Sequence, residues 1–224
     1  MASSAPFSLA RRLRAGETVH VGWATLGVPI LAEMLAREGF PAVNLDQQHG
    51  LFDVATVQAG IAAVRLAGAA PVVRVPLGDF ASVSRVLDFG AEGVIAPMIN
   101  TVEEARAFAA AAKFPPLGAR SWGPARALML NGLEMKDYLA QANDAIVTLA
   151  MIETRTALDN LDAILATPGI DGVFVGPSDL SIALSDGRTL DPHAKLVDET
   201  CERIVAAAQK AGKFAGAYTG SAER

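Results

Sequence analysis

Short apolar segments alternate with longer alanine-rich segments carrying spaced charges, and this alternation along the 224 residues constrains the fold more than any other feature. A short apolar run bounded by turn residues reads as a buried strand. When helical segments separate such runs, each crossover returns the chain to the same end of the sheet, so the strands run parallel. The predicted strands are 19–24, 42–45, 72–75, 93–96, 146–152, 172–175 and 214–217. The predicted helices are 29–38, 54–67, 80–89, 102–112, 157–166 and 192–211, with a further helical excursion within 129–142. Gly39, Gly90, Gly169 and Gly212 each fall between a helix and the next strand, where glycine ends a helix in a left-handed turn.

Seven such units fall one short of a (β/α)8 barrel. The expected fold is therefore an α/β TIM barrel, a single domain over 1–224 that stops after its seventh strand, because 218–224 is too short for an eighth strand and helix. A barrel closed by a partner and an open, doubly wound sheet are the alternatives. Unpaired edge strands are a liability, so an eighth unit beyond the given chain is the favoured expectation. In a barrel, functional groups gather beyond the C-terminal strand ends, and the polar residues here follow that rule. Asp46, Gln48 and His49 follow strand two, Arg74 closes strand three, Glu153 closes strand five and Asp179 follows strand six.

Composition excludes several function classes. The net charge is −5 with no long Lys/Arg block, which leaves no electrostatic track for a nucleic acid. Mean hydropathy is +0.31, but no apolar run approaches the roughly 18 residues that span a bilayer. The first 14 residues lack the apolar core of a secretory signal, and the single Cys201 forms no internal disulfide, so a cytoplasmic protein is expected. There is no phosphate-binding glycine loop, no Cys/His metal cluster and no lysine at a strand end for imine chemistry.

Three groups of residues carry the chemical signal. Glu153 and Asp179, each just beyond an apolar strand, are costly to bury unpaired and suit a shared Mg²⁺, Mn²⁺ or Co²⁺ with positions left for water and substrate. A salt bridge from Glu153 to Arg155 and a helix cap at Asp179 are the bland alternatives. Asp46 and His49 suit proton transfer, directly or through water, if the aspartate orients the imidazole. Arg74 offers a bidentate fork to a carboxylate or an enolate oxygen, or else forms a structural salt bridge with a site carboxylate. The Gly/Pro-rich loop with Arg120 and Trp122 is long enough to cover the mouth or reach a neighbouring subunit.

These residues lie in segments that resemble the HpcH/HpaI aldolase family of metal-dependent class II pyruvate aldolases. The resemblance rests on Asp46-Gln47-Gln48-His49, Val73-Arg74-Val75-Pro76, the stretch 113–120, Ile152-Glu153-Thr154 and Gly176-Pro177-Ser178-Asp179-Leu180. It implies a divalent metal on Glu153 and Asp179, Arg74 on the pyruvate enolate, and His49 with Asp46 and a water in proton transfer. It also implies backbone groups of Gly176, Pro177 and Ser178 at the pyruvate carboxylate. Gln48, Tyr218 and Trp122 complete the expected substrate contacts. The implied reaction joins a 2-oxo acid and an aldehyde, or cleaves a 4-hydroxy-2-oxo acid, as in the catabolism of aromatic compounds. The implied assembly is a homohexamer, a trimer of dimers that exchange a C-terminal helix. Met151 stands where many relatives have glutamine, Gln48 where some have glutamate, and Tyr218 where a small aliphatic residue is expected. A related carbon–carbon lyase or oxaloacetate-type decarboxylase, and a non-catalytic binding or assembly protein, are the competing expectations.

Overall fold

The structure is a computed structural model describing residues 6–220, so the expected absence of a signal at the first residues and the final segment 221–224 fall wholly or partly outside it. Seven parallel strands pair in the order in which they occur: β1 (Val21–Ala24), β2 (Ala42–Asp46), β3 (Ala70–Arg74), β4 (Gly93–Ala96), β5 (Val147–Ile152), β6 (Gly172–Val175) and β7 (Phe214–Ala217). A doubly wound sheet reverses its strand order part-way, so this consecutive order rules that alternative out. The expected TIM-type barrel ending after its seventh strand is seen as a curled, all-parallel seven-stranded half-barrel whose edges are β1 and β7. Side chains approach across the open seam: the Trp23 ring on β1 lies 5.7 Å from Phe174 on β6 and 5.1 Å from Tyr218 beyond β7.

Alternation along each strand divides the apolar residues between two faces. Val43, Leu45, Val73, Val94 and Val173 face the surrounding helices in the larger core. Ala42, Val72, Ile95, Met151 and Phe174 belong to a separate inner cluster on the concave face, joined by Leu9 and Ala10. Those last two come from α1 (Ser8–Arg14), which seals the N-terminal end of the strands. The Ser8 hydroxyl and the Leu9 amide donate to the buried Glu92 carboxylate at 3.2 and 3.0 Å, next to the start of β4. Gly93 leaves room for the Leu9 side chain there, since a Cβ would lie 2.8 Å from Leu9 Cδ2.

The outer helices are α2 (Pro29–Arg37), α3 (Val54–Leu66), α4 (Phe80–Phe89), α5 (Val102–Ala112), α6 (Ala125–Asn131), α7 (Met135–Ala145), α8 (Arg155–Asp159), α9 (Leu161–Leu165), α10 (Pro177–Leu184) and α11 (Lys195–Lys210). Four of them, α3, α4, α5 and α8, begin at side-chain caps, and Asp53 and Thr101 form reciprocal capping boxes with Thr56 and Glu104. The predicted helix 157–166 is two short helices divided at Asn160, and the excursion near 129–142 is α6 followed by α7. Among the described residues no helix is long and apolar enough to cross a membrane.

The loop after α5 is tied to the sealed end. Lys113 Nζ donates to the carbonyls of Asn143 and Ile146 and to Asp171 at 2.6–2.8 Å, just ahead of β5 and β6. Arg120 pairs with Asp88 at 2.6 Å, and Trp122 packs tilted against Phe114 and edge-on to Tyr138, whose ring meets Phe7 beside α1.

Candidate active site

The open end of the half-barrel is built around Asp46, the last residue of β2. Its register partner on β3 is Arg74, so both side chains project from the same row at the strand tips. Arg74 Nε donates to Asp46 Oδ1 at 2.9 Å and Nη2 donates to Oδ2 at 2.5 Å, a bidentate fork with the pair almost wholly buried. The chain then turns sharply, and Oδ1 also accepts the backbone N–H groups of Gln48 and His49 at 3.0 and 3.3 Å. The indole N–H of Trp23 donates to Oδ2 at 3.3 Å. Burial pushes the Asp46 carboxyl up, but the guanidinium and the amide donors outweigh it and hold the group below its ordinary value. Asp46 is thus a fixed anion that orients Arg74. The guanidinium lies 5.0 Å from the Trp23 ring centroid, and Nη1 is the nitrogen that Asp46 does not use.

Glu153 lies one residue past β5 and is 1% exposed. Its Oε2 accepts the Met98 amide at 3.0 Å. Its Oε1 rests against the backbone of Gly176, where a Cβ would come within 2.1 Å of that oxygen. Gly176 therefore makes the space that the glutamate occupies. Glycine also precedes Pro177, the first residue of α10, which places Asp179 in the first turn of that helix. Burial pushes the Glu153 carboxyl up to about 7; the Met98 N–H works against the shift, the Asp179 charge adds to it, and Arg74 draws it down.

The Asp179 charge thus acts on the buried Glu153 carboxyl, and among the described residues no lysine or arginine is bonded to either. Arg155, the alternative partner for Glu153, donates instead to the carbonyls of Ala183 and Leu184 and pairs with Asp186. The acidic pair fits a hard divalent cation, which would replace mutual repulsion by shared attraction. No cluster of three or more His, Cys, Asp or Glu gathers among the described residues, so most of the coordination shell would fall to water and substrate.

Around this pair, Trp23, Phe174 and Tyr218 form an aromatic wall, with the Tyr218 amide donating to Val175 at 3.0 Å. Met151 lies beside Gly176, 3.1 Å from the position of a Cβ there. Ser178 is exposed in the first turn of α10, next to Asp179. His49 is exposed at the lip and reaches Asp46 only through its backbone N–H, so of the two links weighed the direct one, from the imidazole to Asp46, is not formed. The aspartate is instead occupied by Arg74, and the salt bridge weighed for Arg74 is present. Gln48 flanks the same turn, but its Oε1 is buried without a partner. Trp122 is corrected as a wall of its own chain's pocket: its ring partners hold it near α1, at the end of the strands opposite Glu153.

Comparison with known proteins identifies the family. The profile described as HpcH/HpaI aldolase/citrate lyase matches residues 20–221. The chain belongs to that family. A hydroxypyruvate/pyruvate aldolase of Rhizorhabdus wittichii is 43% identical over 92% of this chain and 81% of its own length. An HpcH/HpaI aldolase/citrate lyase family protein from Burkholderia cenocepacia superposes with a TM-score of 0.86 at 33% identity, covering 96% of this chain and 86% of that one. A citrate lyase beta subunit from M. tuberculosis, solved with oxaloacetate and magnesium, shares the fold at 18% identity and a TM-score of 0.60, over 92% of this chain and 80% of that one. The family relationship makes this protein an aldolase or lyase acting on carbon–carbon bonds.

Trp23 and Met98 are the two contributors that sequence reading missed. Trp23 had a visible signal, because it alternates with Val19 and Val21 and its register places it beside Asn44, one step below Asp46. Met98 contributes only an amide, through an unusual left-handed backbone at φ 54°, and a methionine gives no warning of that.

Proposed function

We propose that this protein is a metal-dependent class II pyruvate aldolase that forms or cleaves 4-hydroxy-2-oxo acids, with an aldehyde as second substrate. The observation that carries the reading is the buried Glu153, pushed up to about 7 beside Asp179 and within the field of an Arg74 held rigid by Asp46. Glu153 and Asp179 would hold one Mg²⁺, Mn²⁺ or Co²⁺. Bound there, the cation would polarise the keto group of a 2-oxo acid and ease loss of its methyl proton.

The chain's own residues supply the rest. Arg74, through Nη1, stabilises the developing enolate oxygen, and its fork to Asp46 fixes the guanidinium before substrate arrives. Pro177 lacks an N–H, which leaves the Ser178 and Asp179 amides as the first donors of α10; with the Gly176 turn they suit the substrate carboxylate. His49 at the lip moves a proton to or from the aldehyde-derived oxygen, directly or through water. Asp46 acts through Arg74 and through the turn that carries His49. Tyr218 and Trp23 bound the space for the second substrate, with Gln48 at its side.

Metal-dependent exchange of the pyruvate methyl protons for deuterium, followed by NMR, tests the enolate step. It is expected in the native protein and absent in Glu153→Gln; no exchange at saturating Mn²⁺ would remove the proposal. Pyruvate release from oxaloacetate but not from 4-hydroxy-2-oxo acids would assign the enolate to a decarboxylase instead. We also infer a homo-oligomer arranged as a trimer of dimers, supported by exposed Leu26, Ile30, Met34 and Leu51 beside a cleft of about 360 Å³ along α2. Light scattering that returns a monomer mass would contradict it.

A further inference from the structure

The reading above leaves unexplained why Met98, which is not glycine, adopts a left-handed backbone. For such a residue that conformation is strained and persists only where surrounding bonds impose it. Here it directs the Met98 N–H to Glu153 Oε2 at 3.0 Å. What holds the turn is Asn100, two residues on.

The Asn100 side chain uses both ends of its amide. Its Nδ2 donates to the Met98 carbonyl at 3.0 Å, and its Oδ1 accepts the hydroxyl of Thr154, the residue following Glu153. Its backbone is tied as well: the N–H donates to Glu104 at 2.7 Å and the carbonyl accepts Asn160 Nδ2 at 2.9 Å. Ile99 N–H reaches Met151 O at 3.2 Å, on the other side of Glu153 in sequence. The loop after β4 therefore grips the tip of β5 before and after the glutamate. A carboxamide is the group that can make both side-chain bonds, because it donates at one end and accepts at the other. Aspartate would lose the donor, and leucine would lose both.

We propose that Asn100 is a positioning residue for the metal-binding carboxylate: it locks the Met98 turn to Thr154 and so fixes Glu153 in the orientation from which it can bind a cation together with Asp179. This rests on the metal reading given under the proposed function. Partners of metal ligands commonly set affinity by tenfold to a hundredfold, and that is the effect expected here.

The test is Mn²⁺ binding to the metal-free protein without substrate, read by EPR titration beside the thermal midpoint of each variant. Asn100→Ala is expected to weaken Mn²⁺ by about tenfold or more. Adding Met98→Gly to that variant is expected to recover part of the affinity, because glycine enters the left-handed region without support. Thr154→Val should weaken Mn²⁺, and Thr154→Ser, which keeps the hydroxyl, should not; this pair decides the matter if Asn100→Ala does not fold. A merely structural Asn100 would lower the thermal midpoint and leave Mn²⁺ affinity within twofold of the native value, and that result overturns the proposal. Failure of the native protein to bind Mn²⁺, or unchanged binding by Glu153→Gln, would overturn the metal reading itself. The two failures are therefore distinguishable.

Discussion

Replacing Glu153 by glutamine should make the metal-free protein more stable while abolishing its chemistry. The folded protein holds the Glu153 proton up to about pH 7, whereas the ordinary value is 4.5. A carboxyl whose folded value is raised favours the folded state below the unfolded value and loses that advantage as pH climbs to the folded one. Between pH 4.5 and about 7 the native protein must bind a proton that the unfolded chain has released, at about 1.4 kcal/mol per pH unit, which sets an upper bound of about 3 kcal/mol. Glutamine carries no charge, and its carbonyl can still accept the Met98 N–H. Metal-free Glu153→Gln should therefore gain about 1–3 kcal/mol over the native protein at pH 8 and gain little at pH 4.5, by urea denaturation with chelator present. Saturating Mn²⁺ at pH 8 should stabilise the native protein and leave the variant unmoved. A variant no more stable than native at pH 8, or equally advantaged at both pH values, would refute the claim that Glu153 is a buried, uncompensated acid.

Three further outcomes follow from the same geometry. Gly176→Ala should fold, since its φ of −100° suits alanine, yet lose more than about a hundredfold in Mn²⁺ affinity because the new Cβ falls 2.1 Å from Glu153 Oε1; unchanged affinity by calorimetry would contradict the packing. Mn²⁺ affinity should fall as pH drops through about 7, with about one proton released per metal bound, and a flat profile from pH 8 to 5.5 would place the cation elsewhere. Asp46→Ala should destabilise the protein by about 3 kcal/mol and lower kcat, because it leaves the Arg74 guanidinium nearly buried and unpaired; a loss under about 1 kcal/mol in thermal denaturation would show the fork to be dispensable.

The parallel α/β character was legible because each strand is a short apolar run between glycine-marked helix ends. The strand tips followed from it, and with them Asp46, Arg74 and Glu153. Strand three begins at Ala70 rather than at 72, since Pro71 sits within the run and hides its start. The apolar pattern does not separate helix α10 from the loop after β6, although Pro177 marks its first turn, the turn that carries Asp179. What the sequence could not show was which partner each polar group selects. Asp46 was as plausible beside His49 as beside Arg74, and only the β2–β3 register decides for the arginine. Trp122 looked like a lid because its loop is long, but Phe114 and Tyr138 hold its ring at the sealed end. The Met98 turn depends on Asn100, Thr154 and Glu153 meeting across two loops, and no local pattern encodes that.

The most direct measurement is the anomalous difference map of a crystal soaked in Mn²⁺ and pyruvate. One peak is expected at about 2 Å from oxygens of both Glu153 and Asp179, with the pyruvate on the side of the cation that faces Arg74. A peak elsewhere at saturating Mn²⁺, or carboxylates turned toward separate surroundings, would contradict the account.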